Sequence, residues 1–328
     1  VLEMFRFARE GEELSTQDYP ISAIQDLLRK QKYEGEILLE TQFTCAQAFE
    51  GLELVVEYPE KQRINLDGRE IDSNAVGFYR TFGLERLFLG QVEAGIHKIR
   101  IRRHFQLKKK ATTSVTALFE NLGGVELEPL ILLGDFAVQS AMEPSQNGCL
   151  RFNRDFLLTK EAADSVETGG YPFYCGVMAM ETQIELPKGV REAIFSLEGL
   201  HAAAAEVSVN GMVCGDLCWA PYEVKLTGLH PGRNLLKIRL FGTLRNLLGP
   251  WHRPVGEIGA VWPGGYDSPN EPWEGSFSLE TGKADPKWYL DRVPDKPGWT
   301  ESYLCVPWGI VRPVVCWSVT TGEQTKAK

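Results

Sequence analysis

One pattern runs through this chain twice. Glu40-Thr41-Gln42-Phe43 returns as Glu181-Thr182-Gln183-Ile184, Asn65-Leu66-Asp67-Gly68 as Ser208-Val209-Asn210-Gly211, and Gly95-Ile96-His97-Lys98-Ile99-Arg100 as Gly232-Arg233-Asn234-Leu235-Leu236-Lys237-Ile238. The offsets are 141 (181−40), 143 (211−68) and 137 (232−95), so three landmarks keep nearly the same spacing in both copies. Solenoid repeats recur every 20 to 50 residues or so, and a period this long excludes them. Two related domains in tandem are the expectation.

Each copy reads as β-structure. Val207-Ser208-Val209 alternates and then meets Asn210-Gly211, a pair that tolerates positive φ and suits a two-residue hairpin turn; Asp67-Gly68 is the same device between Arg63-Ile64-Asn65-Leu66 and Arg69-Glu70-Ile71. Leu236, Ile238 and Leu240 alternate with Lys237 and Arg239, as Ile99 and Ile101 do with Lys98, Arg100 and Arg102. A period of two places one row on a core and the other in water. Two half-wet antiparallel sheets closing on one core make a sandwich, so the fold class expected is all-β, two tandem β-sandwiches.

The remaining stretches set the boundaries. Residues 1–34 read as a lead-in from an upstream region, with one helix over Ser22–Gln31 after Tyr19-Pro20; the first sandwich spans 35–139, a linker 140–170, and the second sandwich with its tail 171–328. The tail from Thr243 to Pro307 is Pro-rich and holds five of the eight tryptophans, as expected of a long loop-rich excursion packed on the second domain.

Charge and composition narrow the function classes. A net charge of −9 argues against a nucleic-acid surface, which needs clustered cations, and the single basic run, Arg100 to Lys110, falls largely on a strand face. No apolar run approaches the roughly 20 residues of a membrane span. Seven dispersed cysteines, an odd number, read as reduced thiols and lean towards a cytoplasmic setting; secretion, with a signal peptide missing from this stretch, is the alternative. Cys214 and Cys218 have no second Cys or His pair nearby, so no metal site is expected, and no cofactor motif is present.

No nucleophile elbow, zincin or P-loop motif occurs, and no catalytic residues are assigned. A (β/α)₈ barrel takes about 250 residues, which two sandwiches leave no room for. The chain does have aromatics beside planar polar groups: Trp219 and Tyr222, Arg245 and Asn246, Trp251 and His252, then Trp262, Tyr266, Asp267 and Trp273. Sugar rings stack on aromatic planes and their hydroxyls take bidentate donors, so Trp219, Tyr222, Arg245, Asn246, Trp251 and His252 are the candidate carbohydrate site. The competing reading is structural: Trp219 and Tyr222 close the end of a core, Arg245 bridges carboxylates, and Trp251-His252 packs inside. His97, His201 and His230 read as turn or surface histidines.

The segments Val207 to Gly211, Gly215, Pro221 to Thr227 and Gly232 to Ile238 together resemble the sugar-binding domain of glycoside hydrolase family 2, a galactose-binding-like jelly roll. Leu244-Arg245-Asn246-Leu247-Leu248-Gly249-Pro250-Trp251-His252 is similar to the C-terminal region of large bacterial enzymes related to family 106 α-L-rhamnosidases. The resemblance covers about Tyr171 to His252 and is weaker over the first copy. It implies an accessory region without catalysis of its own, whose partners are carbohydrate and an upstream catalytic domain of the same parent chain. The alternatives are a purely structural module that buttresses a barrel, and a glycosidase with a carboxylate pair between the domains.

Overall fold

The structure, a computed structural model, describes all residues except 108–125, 141, 145–148, 161–169, 250, 253–275, 279–282, 286–299 and 320–328. The chain is all-β, with a short helix near its N-terminus. It divides into one unit of Val1–Ala141, Phe152–Ala162 and His252–Tyr303, and another of Met142–Arg151, Ala163–Trp251 and Leu304–Lys328.

The chain order begins with β1 (Met4–Arg9), β2 (Tyr19–Pro20), α1 (Ile21–Lys30), β3 (Gly35–Cys45), β4 (Phe49–Glu57), β5 (Gln62–Leu66), β6 (Arg69–Glu70), β7 (Gly77–Tyr79), β8 (Thr81–Val92) and β9 (Gly95–Phe105). After it come β10 (Ile131–Leu133), β11 (Ala137–Gln139), β12 (Met142–Pro144), β13 (Leu150–Phe152) and β14 (Leu157–Thr159). One sheet of the first unit runs β11-β14-β3-β9-β5-β6 with β1 on β3, the other β10-β4-β8-β7. Along β9 the period of two is complete: His97, Ile99, Ile101, Arg103 and Phe105 are buried and the residues between them exposed. In α1, Ile21, Ile24 and Leu28 are buried, the spacing that puts them on one helical face.

The second unit holds β15 (Val177–Leu186), β16 (Val190–Ser196), β17 (Gly199–His201), β18 (Ala204–Val209), β19 (Met212–Leu217), β20 (Glu223–Lys225), β21 (Gly232–Phe241) and a one-turn helix α2 (Arg245–Leu248). Further along the chain come β22 (Ser276–Ser278) and β23 (Lys283–Asp285), a hairpin that clusters with the first unit, then β24 (Tyr303–Cys305), β25 (Gly309–Val311) and β26 (Val314–Val319). Sheet β15-β21-β18-β19 packs on β20-β16-β26 through Val207, Ile238, Leu240, Ala193 and Phe195.

The two matching sequence patterns fall on like strand orders. β9 lies antiparallel between β3 and β5, and β21 lies antiparallel between β15 and β18, with β6 and β19 as the outer hairpin strands. Both hairpins turn on two consecutive positive-φ residues, Asp67 (53°) and Gly68 (88°) in one, Asn210 (51°) and Gly211 (82°) in the other, the turn whose twist matches that of the strands.

Three expected boundaries change. Residues 1–34 are no separate lead-in, because β1 pairs with β3 from Arg6 opposite Glu40 to Arg9 opposite Ile37. The expected linker supplies β14, which joins β3 in parallel with Leu157 opposite Thr44. The described tail residues His252 and Thr300–Tyr303 cluster with the first unit rather than the second.

Candidate functional site

The six residues expected to meet a sugar are not gathered in one open site. Within the second unit, Asn246 on α2 holds the main chain of Val306 at both ends, its amide nitrogen donating to Val306 O (2.9 Å) and its Oδ1 accepting from Val306 N (2.8 Å). The Trp251 indole N–H donates to Asn246 O (2.8 Å), and the ring is 2% exposed. Trp251 therefore cannot stack on a ligand ring, and Asn246 has its amide engaged by backbone. Arg245 is half-buried and pulls down on the Cys305 thiol, which burial pushes up to about 12. Tyr222 packs on the second core and its carbonyl accepts from Leu197 N (2.9 Å), so it closes the core. Trp219, between β19 and β20, is the exception at 78% exposed. Trp262, Tyr266, Asp267 and Trp273 lie outside the described residues.

His252 belongs to the first unit and is fully buried. Its Nδ1 faces Thr300 O (2.8 Å) and its Nε2 faces Glu3 Oε1 (2.7 Å). A carbonyl only accepts, so Nδ1 carries a proton, and a second proton lies between Nε2 and the carboxylate. The pair is then neutral as a whole, which is what lets it sit in the interior. His97 is corrected in the same way: it is 8% exposed, with Nδ1 on Asp67 Oδ2 and Nε2 on Glu93 O, both at 2.7 Å.

Glu3 leads to a feature that no local pattern announced. It lines a cavity of about 350 Å³ inside the first unit, together with residues from Glu40 to Thr44 of β3, Arg154 to Leu157 before and at the start of β14, Arg6, Asp18 and Tyr303. Sheet pairing explains its position. β1 covers β3 only from Ile37 to Glu40, and β14 takes up the same edge only at Thr44. Between them the chain of β1 leaves β3 and bridges from Leu2 to Leu130, which opens a gap in the sheet. Rings back this gap: Phe156 stacks on Phe152 (5.9 Å between centroids, 16° between planes), and Tyr303 lies 5.7 Å from Phe152 and 5.1 Å from His252. Glu40, 4% exposed, is held by Arg6 Nη1 (3.3 Å) and Arg100 Nε (2.6 Å). Glu3 Oε2 is buried without a hydrogen-bond partner among the described residues.

The seven cysteines are all unbridged, and Cys45 joins Cys305 in having its thiol pushed up by burial, here to about 11. Among the described residues no group of three or more His, Cys, Asp or Glu is placed to hold a metal ion, and no helix is long and apolar enough to cross a membrane.

No protein-family model matches the sequence, and no curated protein does. Among solved structures, a GH2 beta-galacturonidase from Eisenbergiella tayi aligns at 11% identity and a TM-score of 0.28, over 71% of this chain and 34% of that one. A rhamnosidase from Novosphingobium sp. PP1Y aligns at 13% and 0.24, over 92% of this chain and 24% of that one. A lectin from Pleurotus ostreatus aligns at 11% and 0.19, over 64% and 68%. The chain thus spans about a third of the length of the galacturonidase and a quarter of the rhamnosidase. At such identities, what these proteins bind or cleave is a property of theirs.

Proposed function

We propose that this chain is a non-catalytic accessory region of a carbohydrate-active protein, and that carbohydrate binds in the cavity of its first unit. The observation that carries the reading is the cavity's make-up. About 350 Å³ is within the usual range of small-ligand sites, and the half-buried Phe156 presents ring surface beside Arg6, Arg154, Asp18 and Asp155, which offer planar donors and acceptors, with the buried Tyr303 ring behind. The sequence resemblance to family 2 sugar-binding domains, carried by Tyr171 to His252, supports the accessory-region part of this reading; the place of the ligand rests on the cavity alone. A catalytic domain elsewhere in the parent chain is the partner it implies. Contacts of this kind supply about 1 to 3 kcal/mol each, so affinity in the micromolar to millimolar range is expected. Titration of the chain with a panel of monosaccharides, followed by calorimetry, tests it; no heat and no chemical-shift change with any sugar at tens of millimolar sinks it.

A second reading, a structural module with no ligand, is favoured by the burial of Asn246, Trp251 and His252. It predicts the silent outcome in that titration. Both readings expect no hydrolysis of aryl glycosides, α-L-rhamnosides included; turnover abolished by a single Asp or Glu substitution would overturn them together.

A further inference from the structure

Resting on the carbohydrate reading of the cavity, we infer that its ligand is a neutral, hydroxyl-rich ring whose adjacent hydroxyls are read by the peptide group of Gln42 and the carboxylate of Glu3. The register of β3 gives the first half. Ala46 N donates to Leu158 O (2.8 Å) and Glu10 N donates to Glu36 O (3.0 Å), so the even-numbered residues of β3 turn their backbone groups towards the β1/β14 edge. Glu40 is paired with Arg6 there and Thr44 with Leu157. Gln42 falls between the two, with no strand among the described residues registered opposite it on that side, and it lines the cavity. Its N–H and C=O are one donor and one acceptor facing the same space.

Glu3 gives the second half. One of its oxygens is taken by His252 and the other, buried, has no partner among the described residues. A carboxylate oxygen so placed asks for a donor. Three groups thus have to be met at once: one N–H and two acceptors. A carboxylate ligand meets the N–H and leaves both acceptors unmet. An ammonium meets both acceptors and leaves the N–H. Two neighbouring hydroxyls, each able to donate and accept, meet all three. Charge points the same way against anions, because the lining side chains include four carboxylates (Glu3, Asp18, Glu40, Asp155) and two guanidiniums (Arg6, Arg154).

The main chain can be tested by mutation because Pro lacks the N–H. Where no strand takes that N–H, Pro is tolerated at a sheet edge, whereas a paired position would lose the fold. The chain, Gln42→Pro, Gln42→Ala and Glu3→Gln are titrated with a neutral methyl hexopyranoside, a hexuronate and a hexosamine by calorimetry and ligand-observed NMR, with circular dichroism as the fold check. The neutral glycoside is expected to bind best, Gln42→Pro to stay folded and weaken it about tenfold, and Gln42→Ala to leave it within about twofold. Glu3→Gln is expected to weaken the neutral glycoside by a similar factor. Preference for the uronate or the hexosamine, unchanged affinity in Gln42→Pro and Glu3→Gln, or loss of the fold in Gln42→Pro overturns this inference and leaves the carbohydrate reading standing. Silence with all three sugars overturns both.

Discussion

The two copies lock their hairpins with the same backbone device and different chemistry. In the first, Asp67 N donates to Lys98 O (2.9 Å), Lys98 N donates to Asp67 Oδ1 (2.8 Å), and His97 sits on Asp67 Oδ2 (2.7 Å). In the second, Asn210 N donates to Leu235 O (2.9 Å), Leu235 N donates to Asn210 Oδ1 (2.9 Å), and Asn210 Nδ2 donates to Asn234 Oδ1 (2.9 Å). The offsets between partners, 143 from Asp67 to Asn210 and 137 from His97 to Asn234, are those of the sequence landmarks. The first lock is ionisable and the second is not. Both locks turn an Asx side chain back on the next strand and only the first carries a charge, so this backbone geometry does not need the charge.

The comparison breaks most easily at Asn234, 1% exposed and bonded to His230 N, His230 O, Gly232 O and Asn210. Asn234→Leu strands those groups, and denaturant unfolding should show the second unit losing about 2 to 4 kcal/mol. A change under 0.5 kcal/mol would mean that this side of the lock is idle. Next in size, His97→Ala leaves Asp67 and Glu93 O without their partner and should cost about 1.5 to 3 kcal/mol in the first unit. Gly68→Ala and Gly211→Ala sharpen the likeness instead: both glycines have positive φ and open space where a Cβ would go, so each should cost about 1 kcal/mol and the two should agree. Unequal costs would deny the shared turn.

The smallest effect is the most specific. Burial pushes the Asp67 carboxyl up, but the Lys98 N–H, the His97 hydrogen bond and the His97 and Arg69 charges outweigh it, and the folded value lies below the ordinary one. A depressed acid stabilises the fold above its unfolded value, about 3.9, and that contribution is lost as the pH falls through the lower folded value. Amide protection of Lys98 should therefore fall as the pH drops below about 4, while that of Leu235, held by Asn210, stays level. Asp67→Asn should remove the difference. Equal acid sensitivity at both amides would contradict the contrast.

What the sequence made legible was local or repeated. Asp-Gly and Asn-Gly announce their turns because positive φ is a property of those two residues, and β9 and β21 announce their buried rows because the period is carried by neighbours. Pairings between distant segments left no such trace. β1 and β14 both join β3, β1 ending 26 residues before it (35−9) and β14 starting 112 after it (157−45), so the gap between them, and Gln42 within it, could not be read from any one stretch. The aromatic and amide residues of 245–252 are ambiguous in sequence for a different reason. Trp beside Asn and His is the composition of a sugar site and equally of a buried clasp, and only geometry shows whether the donors meet a ligand or the protein's own backbone. Trp251→Ala is accordingly expected to cost about 3 to 5 kcal/mol of stability, rather than a binding constant.

On the proposed reading, carbohydrate binds the first unit at the gap beside β3. Amide chemical shifts followed during titration with a neutral methyl hexopyranoside test it most directly. The account predicts saturable shifts at Gln42, Phe43 and Phe156, with Trp219 and the β18–β21 amides unmoved. Shifts confined to Trp219 and its loop, or none anywhere, would contradict it.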